Sequence, residues 1–149
     1  MRRAILGGGN GAYAAAADLG GKGHEIRLWR RDAAAFAPVL ASRSIRVRDI
    51  DGPRDVPIAM PTTDIGVAVR GAELVLVPSP ASAQADIARA MAPHLCDGQV
   101  VFLPPGPFGS FVLPRNARAP GPPPRVPDSE TRTPPQLPRH TASPHRALP

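Results

Sequence analysis

Apolar positions along residues 1–113 fall into short runs and longer helical stripes that alternate. Ala4-Ile5-Leu6 is a short run that enters a glycine cluster at Gly7, Gly8, Gly9 and Gly11. The alanine-rich stretch from Ala12 to Leu19 predicts a helix broken at Gly20, Gly21 and Gly23, and Ile26, Leu28 and Trp29 mark a second strand. Asp32 predicts the N-cap of a helix through Leu40, with Phe36, Val39 and Leu40 turned inward. Ile45 to Ile50 alternates apolar with charged residues, Asp51-Gly52 is a turn signal, and Val56 to Met60 returns as the hairpin partner. Thr63 or Asp64 opens a short helix through Val69, and Leu74-Val75-Leu76-Val77 has the unbroken apolar character of a strand buried on both faces. Ser79 or Ser82 starts a helix to Met91, with Ile87, Ala88 and Met91 inward, and Val100 to Leu103 is a last strand stopped by Pro104-Pro105-Gly106. Strands alternating with helices predict an α/β fold with a doubly wound parallel sheet.

Composition changes near Leu113. The first 113 residues hold 10 prolines, whereas residues 114–149 hold 11, including Pro122-Pro123-Pro124 and Pro134-Pro135. The tail has neither a period of two nor one of 3.6 and cannot bury enough apolar surface to offset the entropy of ordering. The expected organisation is one folded domain, 1–113, followed by a disordered or polyproline-like tail, 114–149.

The net charge of +6 suggests nucleic acid until it is located. Residues 1–113 balance 12 basic against 10 acidic side chains, while the tail carries six arginines against Asp128 and Glu130. No aromatic residue follows Phe111 to stack on a base, so nucleic-acid binding is not expected. Cys96 is the only cysteine, which rules out an internal disulfide; no metal-ligand spacing exists, and Cys96 reads as a small buried hydrophobe. No apolar run approaches the roughly 20 residues needed to span a bilayer, and the glycines and Asn10 near the start do not suit a signal peptide. A cytoplasmic protein without a membrane partner is the expectation.

The candidate chemistry lies in the glycine turn. Gly7-Gly8-Gly9-Asn10-Gly11-Ala12 fits G-x-G-x-x-A between a strand and a helix, the context of a Rossmann-like dinucleotide fingerprint. Gly7 permits a sharp exit from the strand. At Gly9, a pyrophosphate meets bare backbone N–H groups and the positive end of the helix dipole. Ala12 replaces the third glycine and still allows close helix–sheet packing. The expected cofactor-binding set is Gly7, Gly9, Asn10, Gly11 and Ala12, with Arg30 and Arg31 at the end of the second strand and Pro78 and Pro104 on the later strand ends. Arginine's fork suits a 2′-phosphate, which favours NADP, while Asp32 keeps NAD open. Pro78 and Pro104 either stiffen loops beneath the nicotinamide ribose or simply stop their strands. His24 and His94 lack acidic or histidine partners and read as structural, and Trp29 reads as core.

Gly-Gly-Gly-Asn-Gly-Ala followed by Gly-His-Glu-Ile-Arg-Leu-Trp-Arg-Arg resembles the N-terminal domain of the octopine/nopaline (opine) dehydrogenase family. Gly-Ala-Glu-Leu-Val-Leu-Val-Pro, Ala-Pro-His-Leu-Cys-Asp-Gly-Gln-Val-Val and Leu-Pro-Pro-Gly-Pro-Phe-Gly-Ser follow in the family's order, so the resemblance covers residues 2 to about 112. Glycerol-3-phosphate dehydrogenases share the glycine motif and a Leu-Trp-x-Arg strand end; Pro105, Gly106 and Gly109 lean toward the opine group. The resemblance implies an NAD(P)H-dependent enzyme that reductively condenses an amino acid with a 2-oxo acid. It places the catalytic histidine and its carboxylate partner in a helical C-terminal domain, which residues 114–149 do not match. No catalytic residue is therefore expected in this chain, and His140 and His145 carry no such role. The chain's 17 arginines against the single Lys22 point to a GC-rich gene, and the tail's richness in Arg, Pro, Ala and Ser is what such DNA yields out of frame, so a frameshifted or truncated read is one expectation. A non-catalytic NADP(H)-binding protein is another, and the Arg132 to Pro138 stretch also fits a polyproline-ligand pattern.

Overall fold

The computed structural model of the chain describes residues 1–50, 52–104 and, for the backbone, 128–130. Strand β1 (Arg2–Leu6) leads into helix α1 (Asn10–Gly21), strand β2 (Glu25–Trp29) and helix α2 (Ala33–Ser42). A hairpin of β3 (Ser44–Asp49) and β4 (Gly52–Pro57) follows, then β5 (Met60–Thr62), the short helix α3 (Ile65–Val69) and β6 (Leu74–Leu76). Helix α4 (Ala81–Met91) continues into a 3-10 turn at Ala92–His94 and then β7 (Val100–Leu103); β8 (Asp128–Glu130) is the last element. The main sheet has the order β5-β2-β1-β6-β7-β8 with every pairing parallel. This is the doubly wound, Rossmann-like arrangement. From β1 the chain winds outward to β5, then crosses back to β6 on the other side, so the switch point lies between β1 and β6.

Burial on both faces follows from strand alternation. Ala4 and Leu6 face one layer with Val75, Val77, Val101 and Leu103, where Ala68, Val69, Ile87, Ala88 and Met91 from α3 and α4 cover them. Ile5, Ile26, Leu28 and Leu76 face the other, beneath the alanines of α1, Phe36 and Val39 of α2, and Ile45 and Val56 of the hairpin. Small residues set the spacing there: Ala12, Ala15 and Ala16 are nearly or fully buried, which brings α1 close to the sheet.

Helix α1 runs through Gly20 and Gly21 instead of breaking there. A Cβ at Gly20 would lie 2.7 Å from Val56 Cγ1, so the glycine marks where the hairpin packs on the helix. The turn comes at Gly23, with φ +80°. The Asp32 carboxylate accepts from the Ala35 N–H (3.0 Å) and caps α2 as expected, and Asp64 caps α3 through Gly66 and Val67.

Several expectations change. Leu40 is exposed because the inward stripe of α2 ends on Val39, and Ile50 stands fully exposed at the hairpin tip. The expected Val56–Met60 return ends at Pro57; Met60-Pro61-Thr62 is a separate strand paired with β2. Neither Ser79 nor Ser82 caps α4: its N-cap is Pro80 and no side chain caps it. Cys96 is exposed, since the backbone turns outward between the 3-10 turn and β7. Within the tail expected to be disordered, Asp128–Glu130 pairs with β7 as an edge strand; the rest of that tail, and Pro105 to Gly109, lie outside the described residues.

Gly20→Ala is expected to destabilise the domain despite alanine's better helix propensity, whereas Gly21→Ala, with open space around it, should stabilise by roughly 0.5–1 kcal/mol. Denaturant midpoints of the two variants give the comparison. In the hairpin, two hydrogen bonds from Arg46 hold the Asp55 carboxyl below the usual carboxylate range. That contribution is complete above the ordinary value of about 4 and is lost as pH falls through the lowered folded value. Arg46→Ala should return Asp55 to the ordinary range in a carboxyl-carbon NMR titration.

Candidate functional site

The carboxyl ends of β1, β2 and β6 surround an open cleft of about 310 Å³. Gly7, Gly8 and Gly9 form one wall, Trp29, Arg30, Arg31 and Asp32 a second, and Pro78, Ser79, Pro80, Ala83 and Ile87 the third. The cleft sits at the switch point, where ligands of open α/β sheets bind.

Gly7 is buried, with φ +152°, and its N–H donates to the Trp29 carbonyl at 3.0 Å. A Cβ there would lie 2.9 Å from Ser79 Oγ, so the turn closes only because the position is bare. Ser79 is itself buried: its hydroxyl donates to the Leu6 carbonyl (3.3 Å), and its own carbonyl accepts from the buried Gln84 side chain (3.2 Å). Recruitment by Leu6 explains why this serine does not cap α4. The loops after β1 and β6 are thereby joined by one hydroxyl.

Gly9 is the N-cap of α1, its carbonyl accepting from the Ala12 and Tyr13 N–H groups. No side chain caps this helix, its first turn carries no acid, and no atom lies within 4 Å of where a Cβ would project. An uncapped helix start behind a position without a side chain is a fitting cradle for an anion. Gly11 passes the β6–α4 loop, where a Cβ would sit 3.4 Å from Pro78 Cβ, and Ala12 is fully buried beneath the turn.

On the second wall, the Trp29 indole N–H donates to the Thr63 carbonyl (2.9 Å), which fixes the ring as part of both core and cleft. The half-buried Arg30 crosses the glycine turn, and its Nη1 donates to the Tyr13 hydroxyl at 3.2 Å. Arg31 is exposed, and Asp32 is engaged in capping α2.

Of the residues singled out in the sequence, the cleft brings together Gly7, Gly9, Arg30, Arg31 and Pro78. Asn10, Gly11 and Ala12 form the first turn of α1 behind it. Pro104 follows the end of β7, buried and away from the cleft lining. Pro78 shares the cleft with Arg30, Arg31 and Asp32. His24 precedes β2 at the opposite end of the sheet, and the His94 ring packs on Gly66 beside Arg70. The sequence pattern did not point to Ala83 and Ile87 as cleft residues; they reach it through the placement of α4. Among the described residues no cluster of metal-ligating side chains occurs, and no helix is long and apolar enough to cross a membrane.

No protein-family model matches the chain. It is 36% identical over 112 residues to an opine dehydrogenase of Arthrobacter sp. strain 1C, covering 73% of this chain and 30% of that protein. It is 35% identical over 107 residues to an NAD(P)+ glycerol-3-phosphate dehydrogenase of Nitratidesulfovibrio vulgaris strain DP4, covering 68% and 30%. An octopine dehydrogenase structure with NADH and pyruvate has the same fold, with a TM-score of 0.66 at 23% identity over 79% of this chain and 33% of that one. The chain thus spans about a third of the length of these curated relatives. The resemblance to the opine dehydrogenases holds, and both curated relatives are named as oxidoreductases of the dehydrogenase type.

Gly7→Ala should cost roughly 1–3 kcal/mol of stability, because it combines a disfavoured φ with a clash against Ser79. Gly9→Ala, into open space at φ −90°, should cost less than about 1 kcal/mol. Thermal unfolding of the two variants side by side checks the contrast.

Proposed function

We propose that this chain is a nicotinamide-dinucleotide-binding domain of an opine-dehydrogenase-like oxidoreductase, with NADP favoured over NAD. The observation that carries the reading is the bare cradle of Gly7 to Gly9 at the uncapped start of α1, facing two arginines across the switch-point cleft. In this reading the pyrophosphate lies against the backbone of Gly9, Asn10 and Gly11. Gly7 and Ala12 keep the turn and helix close enough to present those N–H groups. The adenosine half occupies the space between Arg30–Asp32 and Pro78–Pro80, where the apolar Ala83 and Ile87 suit a base. Arg30 and Arg31 offer forked donors to a 2′-phosphate. The Asp32 carboxylate, which caps α2 through Oδ1, also lines the cleft and keeps the NAD alternative open.

When bound, the nicotinamide supplies a hydride to an acceptor carbon. The chain's own part is to bind and orient it, because neither described histidine reaches the cleft. Condensing an amino acid with a 2-oxo acid needs a group that moves protons at the imine. We place that group outside residues 1–113, so the domain binds dinucleotide without turning over. The similarity to glycerol-3-phosphate dehydrogenases supports a second reading, a cofactor domain of that type, and a binding protein without chemistry is a third. All three share the same cleft.

Trp29 is the only tryptophan and lines the cleft, so NADPH and NADH titrations should quench its emission. Replacing Arg30 and Arg31 together by alanine should weaken NADPH by roughly 10- to 100-fold and leave NADH within about threefold. Gly9→Ala should weaken both nucleotides without unfolding the domain. Folded protein that binds neither would overturn the reading.

A further inference from the structure

Arg30 does not project freely from the end of β2. Its side chain lies flat across the glycine turn: a Cβ at Gly8 would come within 2.7 Å of Nε, 2.8 Å of Cδ and 2.9 Å of Cγ. Gly8 is the variable second position of the G-x-G-x-x-A pattern, where the turn itself does not ask for glycine. Here the arginine stem packs against the bare position. Beyond Gly8, the guanidinium reaches the second turn of α1, where Nη1 donates to the Tyr13 hydroxyl at 3.2 Å. Tyr13 is half-buried, and its backbone N–H is bonded to the Gly9 carbonyl at 3.3 Å, so the acceptor rides on the same turn that forms the cradle.

We propose that Tyr13 is a positioning residue that holds the Arg30 guanidinium over the glycine turn and thereby sets the preference for a phosphorylated adenosine ribose. This rests on the dinucleotide reading above and adds a residue to it. An unanchored arginine has about 2 kcal/mol of rotamer entropy to lose when its fork engages a phosphate. Anchored at Gly8 and Tyr13, the side chain is ordered before the ligand arrives, so phosphate binding carries less of that cost. The phenol accepts from one guanidinium nitrogen and leaves the other N–H groups of the fork to donate elsewhere. A ligand without the 2′-phosphate makes no use of this arrangement, so the effect belongs to selectivity and not to affinity at large.

The test is calorimetric titration of the full chain and its Tyr13→Phe variant with NADPH and NADH, repeated in an Arg30→Ala background. Phenylalanine keeps the ring and removes the hydroxyl. The expected result is a loss of about three- to tenfold in NADPH affinity with NADH unchanged, and no further loss once Arg30 is alanine. An equal loss for both nucleotides, or an NADPH loss that persists without Arg30, would overturn the role of Tyr13 while leaving the dinucleotide reading intact. A parent chain that binds neither nucleotide, or both equally, overturns the NADP reading and this one with it.

Discussion

The carboxyl edge of the sheet depends on how closely two backbones approach each other. Gly7 leaves β1 within contact of Ser79, and Gly11 carries the first turn of α1 past Pro78. A side chain at Gly7 would collide with Ser79, and one at Gly11 would come into contact with Pro78. Ser79 then fastens what the glycines permit, because its hydroxyl reaches the carbonyl of Leu6 and its own carbonyl is held by Gln84. Hydrogen bonds of this kind are individually modest, but buried ones are expensive to leave unmade. The switch point is therefore held from both sides by buried hydrogen bonds.

The same closeness explains the division of labour across the sheet. The face that α1 turns to β1 and β2 is made of alanines, Ala12, Ala15, Ala16 and Ala17, which lets the helix sit low enough to aim its first turn at the strand ends. The opposite layer is bulkier, with Ile87, Met91, Val69 and Leu103, and it supports α4 so that Ala83 and Ile87 reach the cleft from the far wall. The crevice thus presents a backbone surface on one side and apolar side chains on the other. Trp29 belongs to both core and cleft, joined to the loop before α3 by its indole hydrogen bond.

Much of this was legible in the residues. Val75 to Val77, Val101 and Leu103 are buried because they lie in inner strands of a sheet covered on both faces, and the apolar runs that hold them say so directly, although Val100 at the start of β7 is exposed. Asp32 and Asp64 cap their helices because short carboxylates suit that geometry wherever the following residues are helical. The glycine turn and the arginines were legible for the same local reason. Met60-Pro61-Thr62 was not: it has no apolar run and contains a proline, and it is a strand only because β2 offers a partner. The Ser79 cap failed because the helix starts one residue later, at Pro80, and the serine hydroxyl is turned to the Leu6 carbonyl. The union of Arg30 with Tyr13 joins residues 17 apart through a fold that had to exist first.

The proline that hid β5 has its own consequence. The carbonyl of Thr62 accepts from the Arg30 N–H, so Thr62 and Met60 direct their backbone groups toward β2 while Pro61, between them, directs its own outward. That outward position lacks an N–H. A further chain approaching this margin finds a carbonyl but no donor to continue the ladder. The β5 margin thus carries one position that cannot donate to a further strand, which disfavours strand addition there by another copy or an extended peptide.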